Sequence, residues 1–458
     1  MSFEGVLIDK LNGGLGRTSS AADRVVALVY GMDATDKIAN YTAKGFYSIT
    51  EVEAAGITYS TTVNVTYGKD DTDEQKKAKL EAETERVRQI SALWYHFDEM
   101  FRLAPGQEFF LITVPRTITV DSKTSPTTVD DILKSTDFIN AVKRIDDINV
   151  LGFANISDLN IENIVRHAIY EADGVTVNSY VCYATKFQDF VDDFADEHLL
   201  IDGIFLEGDC TKSNKPFDFA SYDMRDENIK AANVSVVIAQ DPAMSKIGSP
   251  VAIGTVLGSV AIRKVHEDLG SVDIEDKPST RKGEENYTLT DSATGRWSNA
   301  QLSDDRNFIT LTKAEQANIS QKGYIYVGSF KNYGGFYLSG CPTAVVSTSD
   351  YAYFNFNCVW DKAARLVRTT LISRVRSNVP VEASTGYIKS TTISYWEGLI
   401  SKQLETMVAA GNISAFDVYI NPAQKPDEKN PLVIKTRLVT NRIVHEFEVE
   451  LGLTDKLD

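Results

Sequence analysis

Three groups of residues in this chain have types and spacings that could support chemistry. The run Asn12-Gly-Gly-Leu-Gly-Arg-Thr-Ser is glycine-rich, as a phosphate cradle must be. A P-loop needs GxxxxGK[ST] between a strand and a helix, so that backbone N–H groups and a lysine meet the phosphates. Here the spacing differs, the lysine is absent and an apolar strand-like run, Arg24–Tyr30, follows, so the segment reads as a hinge. Asp189, Asp192, Asp193, Asp196 and Glu197 could gather a hard cation. They share one helical stretch without the turn geometry of a calcium loop, and Phe187, Phe190, Val191 and Phe194 give that stretch a buried face, so the acids read as its solvated side. Asp209-Cys210 and Asp241-Pro242 follow apolar strand-like runs, where an α/β enzyme places catalytic groups, but neither has an evident catalytic partner.

The five histidines are scattered, none in HExxH or beside a nucleophile elbow. Cys182, Cys210, Cys341 and Cys358 lie in or beside apolar runs without CxxC spacing and read as reduced core residues. No catalytic, cofactor-binding or metal-ligating set emerges; no cofactor and no enzyme activity are expected. One charged feature stands apart. The chain carries a net charge of −17, yet Lys362, Arg365, Arg368, Arg374 and Arg376 are offset over Trp360–Asn378 by Asp361 alone. A solvated helix face accounts for such a run, and the functional alternative is a docking surface for an acidic protein.

The elements that must carry these residues follow from length and pattern. A chain of 458 residues suits about three average domains. It is 43% hydrophobic, enough for real cores. Its acidity argues against a nucleic-acid partner or an anionic membrane surface. No apolar run approaches the roughly 18–20 residues of a spanning helix. The start, Met1-Ser-Phe-Glu-Gly-Val-Leu-Ile, lacks a basic region followed by an apolar core, so cytoplasmic synthesis without a signal peptide is expected.

Strand-like and helical patterns alternate through the first part of the chain. Residues 24–30 read as a buried strand, and Gly45–Ile49 and Thr58–Tyr67 as extended. A long helix begins near Asp70, gains an apolar stripe from Val87 to Phe101 and stops at Pro105-Gly106. Strands are expected at Phe109–Val114, Ile148–Ala154, Tyr180–Ala184, Ile201–Glu207 and Val234–Ala239. Helices are expected at Thr128–Arg144, Asn160–Ala172, Lys186–Glu197 and Val251–Leu269, the last with a Gly254-x-x-x-Gly258 spacing that permits close packing. This rhythm predicts helices layered on a mostly parallel sheet, a mixed α/β (α+β) class. Residues 271–320, polar and aperiodic, read as a surface insertion or long loop. Helices near Asn357–Val379 and Thr391–Ala410 follow, then a strand from Phe416.

The two ends look like arms. Val6, Leu7 and Ile8 form a short apolar strand ahead of the Gly/Ser hinge. At the other end, Ile443, His445, Phe447, Val449 and Leu451 alternate with Glu446, Glu448 and Glu450, after a linker with three prolines between Asn421 and Pro431. A strand of this kind needs a sheet to complete, its own or a neighbour's. The expected boundaries are an N-terminal arm at 1–24, α/β domains over 25–270, the insertion at 271–320, a C-terminal core domain at 321–431 and a C-terminal arm at 432–458.

Several segments resemble contractile tail sheath proteins. Leu311-Thr-Lys-Ala-Glu-Gln-Ala-Asn-Ile-Ser-Gln-Lys-Gly323 and Tyr333-Gly-Gly-Phe-Tyr-Leu-Ser-Gly340 are similar to the family's "LN..GIN…G…WG.RT" stretch. Tyr351–Trp360 resembles its strand-to-helix step, with Cys358-Val-Trp where the family carries a double Arg. Trp396–Ala410 with Gly411–Ile420 is similar to the last helix, turn and strand, and Gly248–Ala261 resembles the family's "P.SG.VAG..AR" helix. The likeness covers residues 240–458 and marks a divergent branch. It implies a structural subunit that stacks in hexameric rings around an inner tube protein, between baseplate and terminator proteins, in a phage tail, tailocin or contractile injection particle assembled in bacteria. Contraction of the sheath would drive the tube through a target envelope without a nucleotide. The resemblance also implies that Val6, Leu7, Ile8, Ile443, Phe447, Val449 and Leu451 add strands to neighbouring subunits, with no nucleic acid and no membrane insertion. Lys362, Arg365, Arg368 and Arg376 are the candidate tube-facing residues. A capsid or surface-layer subunit and an α/β enzyme are the alternatives.

Overall fold

The computed structural model describes residues 24–120, 123–170, 177–210, 216–272, 289–427, 430–449, 451 and 453. The expected N-terminal arm, with Val6, Leu7 and Ile8, lies outside the described residues. Two compact units are present. The first is built from the residues up to Arg263 together with Leu269–Asn357, the second from Lys264–Asp268 and the chain from Cys358 onward.

The first unit contains strands β1 (Val26–Gly31), β2 (Ala43–Phe46) and β3 (Phe109–Val114), then a hairpin of β4 (Thr117–Val120) and β5 (Lys123–Pro126). Strand β6 (Val150–Ala154) is followed by a second hairpin, β7 (His167–Tyr170) with β8 (Val177–Val181), and by β9 (Gly203–Glu207) and β10 (Val234–Val237). The short strands β11 (Ala239–Gln240) and β12 (Gln301–Leu302) pair with each other. Strand β13 (Tyr324–Ile325) precedes the pair β14 (Val327–Gly328) and β15 (Tyr337–Leu338). The main sheet has the order β13-β10-β9-β6-β1-β3-β2. All of its neighbours run parallel except β2, which is antiparallel to β3 at the edge. Strands β1, β6 and β9 are buried along their whole length, which a parallel strand covered on both faces requires. This is the α/β layer that the alternation of patterns predicts.

The helix Asp73–Leu103 opens on a capping box, Thr72 with Gln75, and ends before Gly106, whose φ of +80° turns the chain. Its second half buries Leu93, Tyr95, Phe97, Met100 and Leu103. There it meets the helix Ile253–Ile262 almost backbone to backbone. A Cβ on Gly254 would sit 2.4 Å from the His96 carbonyl oxygen, and one on Gly258 would sit 2.9 Å from the Met100 Cα. The glycine spacing read from the sequence serves this approach.

Several expected elements differ in extent. The helix expected over Thr128–Arg144 is two, Val129–Leu133 and Thr136–Lys143, because the Ser135 hydroxyl accepts from the Phe138 N–H and starts the second. The helix expected at Asn160–Ala172 ends at Arg166 and continues as β7. The one expected at Val251–Leu269 stops at Ile262. Residues 58–67 join no strand pair.

The expected surface insertion needs correction over its described part, 289–320. Trp297 is fully buried, and Leu289, Ala300, Leu302 and Ser303 are buried with it. The reason is a polar cluster that holds this segment to the helices. Glu99, itself fully buried, accepts from Arg102 Nε and Nη2 at 2.8 Å each, from Thr255 Oγ1 at 3.1 Å and from Trp297 Nε1 at 3.2 Å. Asp241 accepts from Tyr95 Oη at 2.5 Å and from the Trp297 N–H at 3.0 Å. Arg296 pairs with Asp98 at 2.5 Å and lies over the Tyr95 ring at 4.0 Å. Asp241, read from sequence as a possible catalytic end, is thus a structural acceptor.

The carboxyl end of the parallel sheet is where an α/β enzyme holds its ligand, at the point where successive connections depart to opposite sides. Here that point lies between β1 and β6, and the chain itself fills it. Asn155, at φ +58°, brings its carbonyl oxygen to 2.1 Å from where a Gly31 Cβ would stand, and its Nδ2 donates to the Gly31 carbonyl at 2.7 Å. Its N–H donates to Glu207 Oε2 at 2.5 Å. Arg116, following β3, is turned onto Glu85 at 2.6 Å. Burial raises the Glu207 carboxyl to about 8, with Asp209 adding repulsion.

The second unit contains the helix Ser390–Ala409 and the antiparallel hairpin of β16 (Ile413–Ile420) and β17 (Ile434–Thr440), joined through the Pro-rich linker. Ile388, Ile393, Trp396 and Ile420 form its core, covered by Val379, Leu399, Leu432 and Ile434. Part of the expected C-terminal arm therefore belongs to this unit's own sheet. Residues 434–440 pair with β16 along the full strand, and the chain leaves the sheet only after Thr440.

Two measurements check this account of the first unit. Glu99→Ala removes a fully buried acceptor from the half-buried Arg102 and Arg296, so the urea midpoint is expected to fall by the equivalent of about 3–5 kcal/mol. Glu207 holds its proton in the folded state to about pH 8 but loses it near the ordinary value when unfolded. Folding therefore takes up a proton between those values, and stability falls as pH rises through that window. Glu207→Gln is expected to raise the thermal midpoint at pH 8 and to leave it nearly unchanged at pH 4, as read by calorimetry.

Candidate functional site

The described residues that the sequence singles out for docking lie in the second unit. The basic run sits on and just beyond the helix Phe354–Ile372. Lys362 and Arg365 are half-buried, while Arg368, Arg374 and Arg376 are exposed. The helix ends at Ile372, earlier than the pattern suggested, so Arg374 and Arg376 stand in the turn after it, with Arg376 at φ +60°. Arg374 donates to the Tyr395 hydroxyl at 2.9 Å and stacks over its ring. The four candidate cations are therefore not one continuous helical stripe. Lys362, Arg365 and Arg368 belong to the helix, and Arg376 to the turn.

The second surface is the hairpin and the tail beyond it. Strand β17 pairs with β16 and, among the described residues, with no other strand. Its residues alternate. Ile434, which packs on the core around Trp396, and Leu438 are half-buried, and Lys435, Arg437 and Val439 are exposed on the opposite face. Strand β16 places Tyr419, Asp417 and Ala415 across from those three. After Thr440 the Asn441 side chain is tied down, its Nδ2 donating to the Gly411 carbonyl at 2.8 Å and its Oδ1 accepting from Ser414 Oγ at 2.8 Å. Residues 442–449 then join no strand pair within the described chain. Phe447 is 83% exposed and Leu451 93%; Val449 is exposed and Ile443 half-buried. His445, read as a packed or interface residue, is exposed. The expected alternating face is present as sequence and pairs with no strand among the described residues.

The other groups considered for chemistry are placed differently. Asp189, Asp192, Asp193, Asp196 and Glu197 lie on the solvent side of the helix Tyr183–Asp196 and its cap, with Phe187, Phe190, Val191 and Phe194 buried beneath. Glu197 pairs with Lys143 at 2.6 Å. No group of metal-ligating side chains occurs among the described residues. Cys210, Cys341 and Cys358 are buried and Cys182 half-buried, all as free thiols. Among the described residues no helix is long and apolar enough to cross a membrane. Sequence reasoning missed that the tail and β17 are distinct. Both alternate, and only the partner strand β16, across a linker, separates them.

Two family models match this chain. The DUF2586 N-terminal domain matches residues 212–341, and the DUF2586 C-terminal domain matches residues 350–458. No curated protein matches the sequence. Solved structures share the fold over essentially the whole chain. The helical sheath of the anti-feeding prophage in its contracted state is 14% identical, with all of both chains covered and a TM-score of 0.55. A chain of the six-fold symmetrised anti-feeding prophage baseplate is 12% identical, covers 99% of each chain and has a TM-score of 0.52. The contracted PVC sheath complex of an extracellular contractile injection system is 12% identical, covers 99% of this chain and 98% of that one, and has a TM-score of 0.50. At these identities the likeness is one of fold, and the fold is that of contractile sheath proteins.

Because the tail pairs with no strand among the described residues and all of its described residues but Ile443 are exposed, its removal is expected to cost little stability. A chain ending at Arg442 keeps Asn441 and its ties, and its thermal midpoint should lie within about 2 °C of the full-length chain under monomeric conditions, as measured by calorimetry.

Proposed function

We propose that this chain, with both DUF2586 domains in order on a contractile-sheath fold, is a structural subunit of a contractile tail sheath. It polymerises around an inner tube and contracts to drive that tube through a target envelope. The observation that carries this reading is the full-length match of fold to the contracted sheath of the anti-feeding prophage. The protein is a lattice component rather than an enzyme. Its partners are other copies of itself, the inner tube protein, and the baseplate and terminator proteins at the two ends. It is made in the bacterial cytoplasm and assembled there into the particle.

The parts suit the role. The tail after Thr440 offers a strand to a neighbouring subunit's sheet, with Ile443, Phe447, Val449 and Leu451 as its apolar face, and Val6, Leu7 and Ile8 do the same from the other end. Main-chain hydrogen bonds made through a tether let subunits rotate as rigid bodies while staying joined. Lys362, Arg365, Arg368 and Arg376 face the tube and hold it through charge that salt screens, so that contact is lost when the sheath widens.

Negative-stain electron microscopy of the chain alone and with its tube protein tests this. Striated hollow tubes or ring stacks are expected from the full chain and not from one ending at Arg442. Discrete particles from both chains, even with the tube protein present, contradict it.

A further inference from the structure

We propose that residues 61–67 of an unassembled chain pair with the same segment of a second copy, as a two-stranded antiparallel ribbon centred on Asn64. The inference goes beyond the sheath reading. Neighbours in one sheath all point the same way along its axis, so a two-fold contact lies outside that lattice and joins chains that have not yet entered it.

The segment is a strand without a sheet, pinned at both ends beside the helix Asp73–Leu103. The Ser60 N–H donates to Ser91 Oγ at 3.1 Å, and that hydroxyl donates back to the Ser60 carbonyl at 2.8 Å. At the other end the Gly68 N–H donates to Asp71 Oδ2 at 2.6 Å, next to the Thr72 cap. Thr72 and Ser91 stand about 28 Å apart along the helix, at about 1.5 Å per residue. The chain from Ser60 to Gly68 covers about 26 Å only when extended. Exposure alternates as it must in such a strand: Val63 and Val65 are half-buried, and Thr62, Asn64 and Thr66 are exposed. The Ser60 hydroxyl takes up the N–H and the carbonyl of Thr62. Along the opposite edge, Thr61, Val63, Val65 and Tyr67 make no backbone hydrogen bond to any described residue.

Sequence and charge name the occupant of that edge. Thr62-Val63-Asn64-Val65-Thr66 reads the same in both directions. Antiparallel pairing about Asn64 therefore sets each Val63 opposite a Val65 and each Thr62 opposite a Thr66 of the second copy, the apolar and hydroxyl pairs that stabilise a ribbon. The unused edge supplies the main-chain bonds in this register. Val63 with Val65, and Thr61 with Tyr67, exchange both of theirs, and Asn64 meets its own copy at a non-hydrogen-bonded position. A slip by two residues leaves a valine opposite Thr61 or Tyr67, and a slip by one sets the valines against the exposed face. Residues 54–68 carry no charged side chain. On a chain of net charge −17, such a stretch lets two copies approach without local repulsion.

The test uses the full-length chain without tube protein, below the concentration at which it polymerises, with mass read by sedimentation equilibrium. The wild-type chain is expected to dimerise. Asn64→Asp and Asn64→Lys each set two like charges face to face and are expected to raise the dissociation constant about tenfold, and mixing the two variants is expected to restore the dimer. Asn64→Cys is expected to give a disulfide-linked dimer on mild oxidation, because non-hydrogen-bonded partners stand about 4.5 Å apart at Cα. Thr62→Cys is expected to give none, since Thr62 and its copy lie about 13 Å apart along the ribbon. A wild-type chain that stays monomeric, a dimer that the Asn64 substitutions leave unchanged, or equal cross-linking of both cysteine variants overturns the proposal. With the tube protein added, Asn64→Asp is expected to form sheath tubes as the wild type does. Tubes lost from this variant alone would place the segment inside the sheath lattice and overturn the proposal. Tubes absent from the wild type as well would contradict the sheath reading and leave the pair standing.

Discussion

A β-strand exposes a row of N–H and C=O groups that only another strand can fully use. In this chain the residues after Thr440 have the alternation of a strand and no strand beside them among the described residues. Water can serve the backbone groups, but it does not favour the apolar side chains, and Phe447 and Leu451 stand almost wholly in solvent. Proteins usually blunt such an edge because it invites association. Among the described residues it is left open on the tail and on β17 alike, and the surrounding charge restrains rather than removes the tendency to pair. Both edges belong to the second unit.

Each unit is held together in its own way. In the first unit, helices close on the parallel sheet through glycine contacts, and Glu99 and Asp241 tie the segment around Trp297 to the helix Asp73–Leu103. The crevice that a ligand would occupy between β1 and β6 is filled by Asn155 and lined by Glu207. In the second unit a hairpin lies on one helix around Trp396. A hairpin alone is marginal in water, and this one gains its stability from the helix on one face, while among the described residues neither outer edge is paired. Rigid units with open edges suit a lattice whose members must turn without parting.

The parallel strands were legible because each is a continuous run of apolar residues, as Val26–Gly31 and Gly203–Glu207 show, and burial on both faces demands such runs. Gly254 and Gly258 announced a close helix crossing, and the tail announced itself through Ile443, Phe447 and Val449. What stayed hidden depended on partners distant in sequence. Residues 289–320 look polar and aperiodic, yet Trp297 and Arg296 are drawn inward by Glu99, Asp98 and Asp241, and no local pattern reveals that. Ser135 restarts a helix in a stretch whose periodicity runs on through it. Residues 434–440 and the tail both alternate, and only their pairing with β16, across the linker, shows that the first belong to the unit's own sheet.

Amide hydrogen exchange of the tail, compared between monomer and assembled polymer, tests the central claim most directly. Residues 443–449 should exchange within seconds in the monomer, while β16 and the strands of the main sheet stay protected. On assembly, the tail should become protected. Protection of the tail already present in the monomer, or tail amides that exchange as fast in the polymer as in the free chain, would contradict the account.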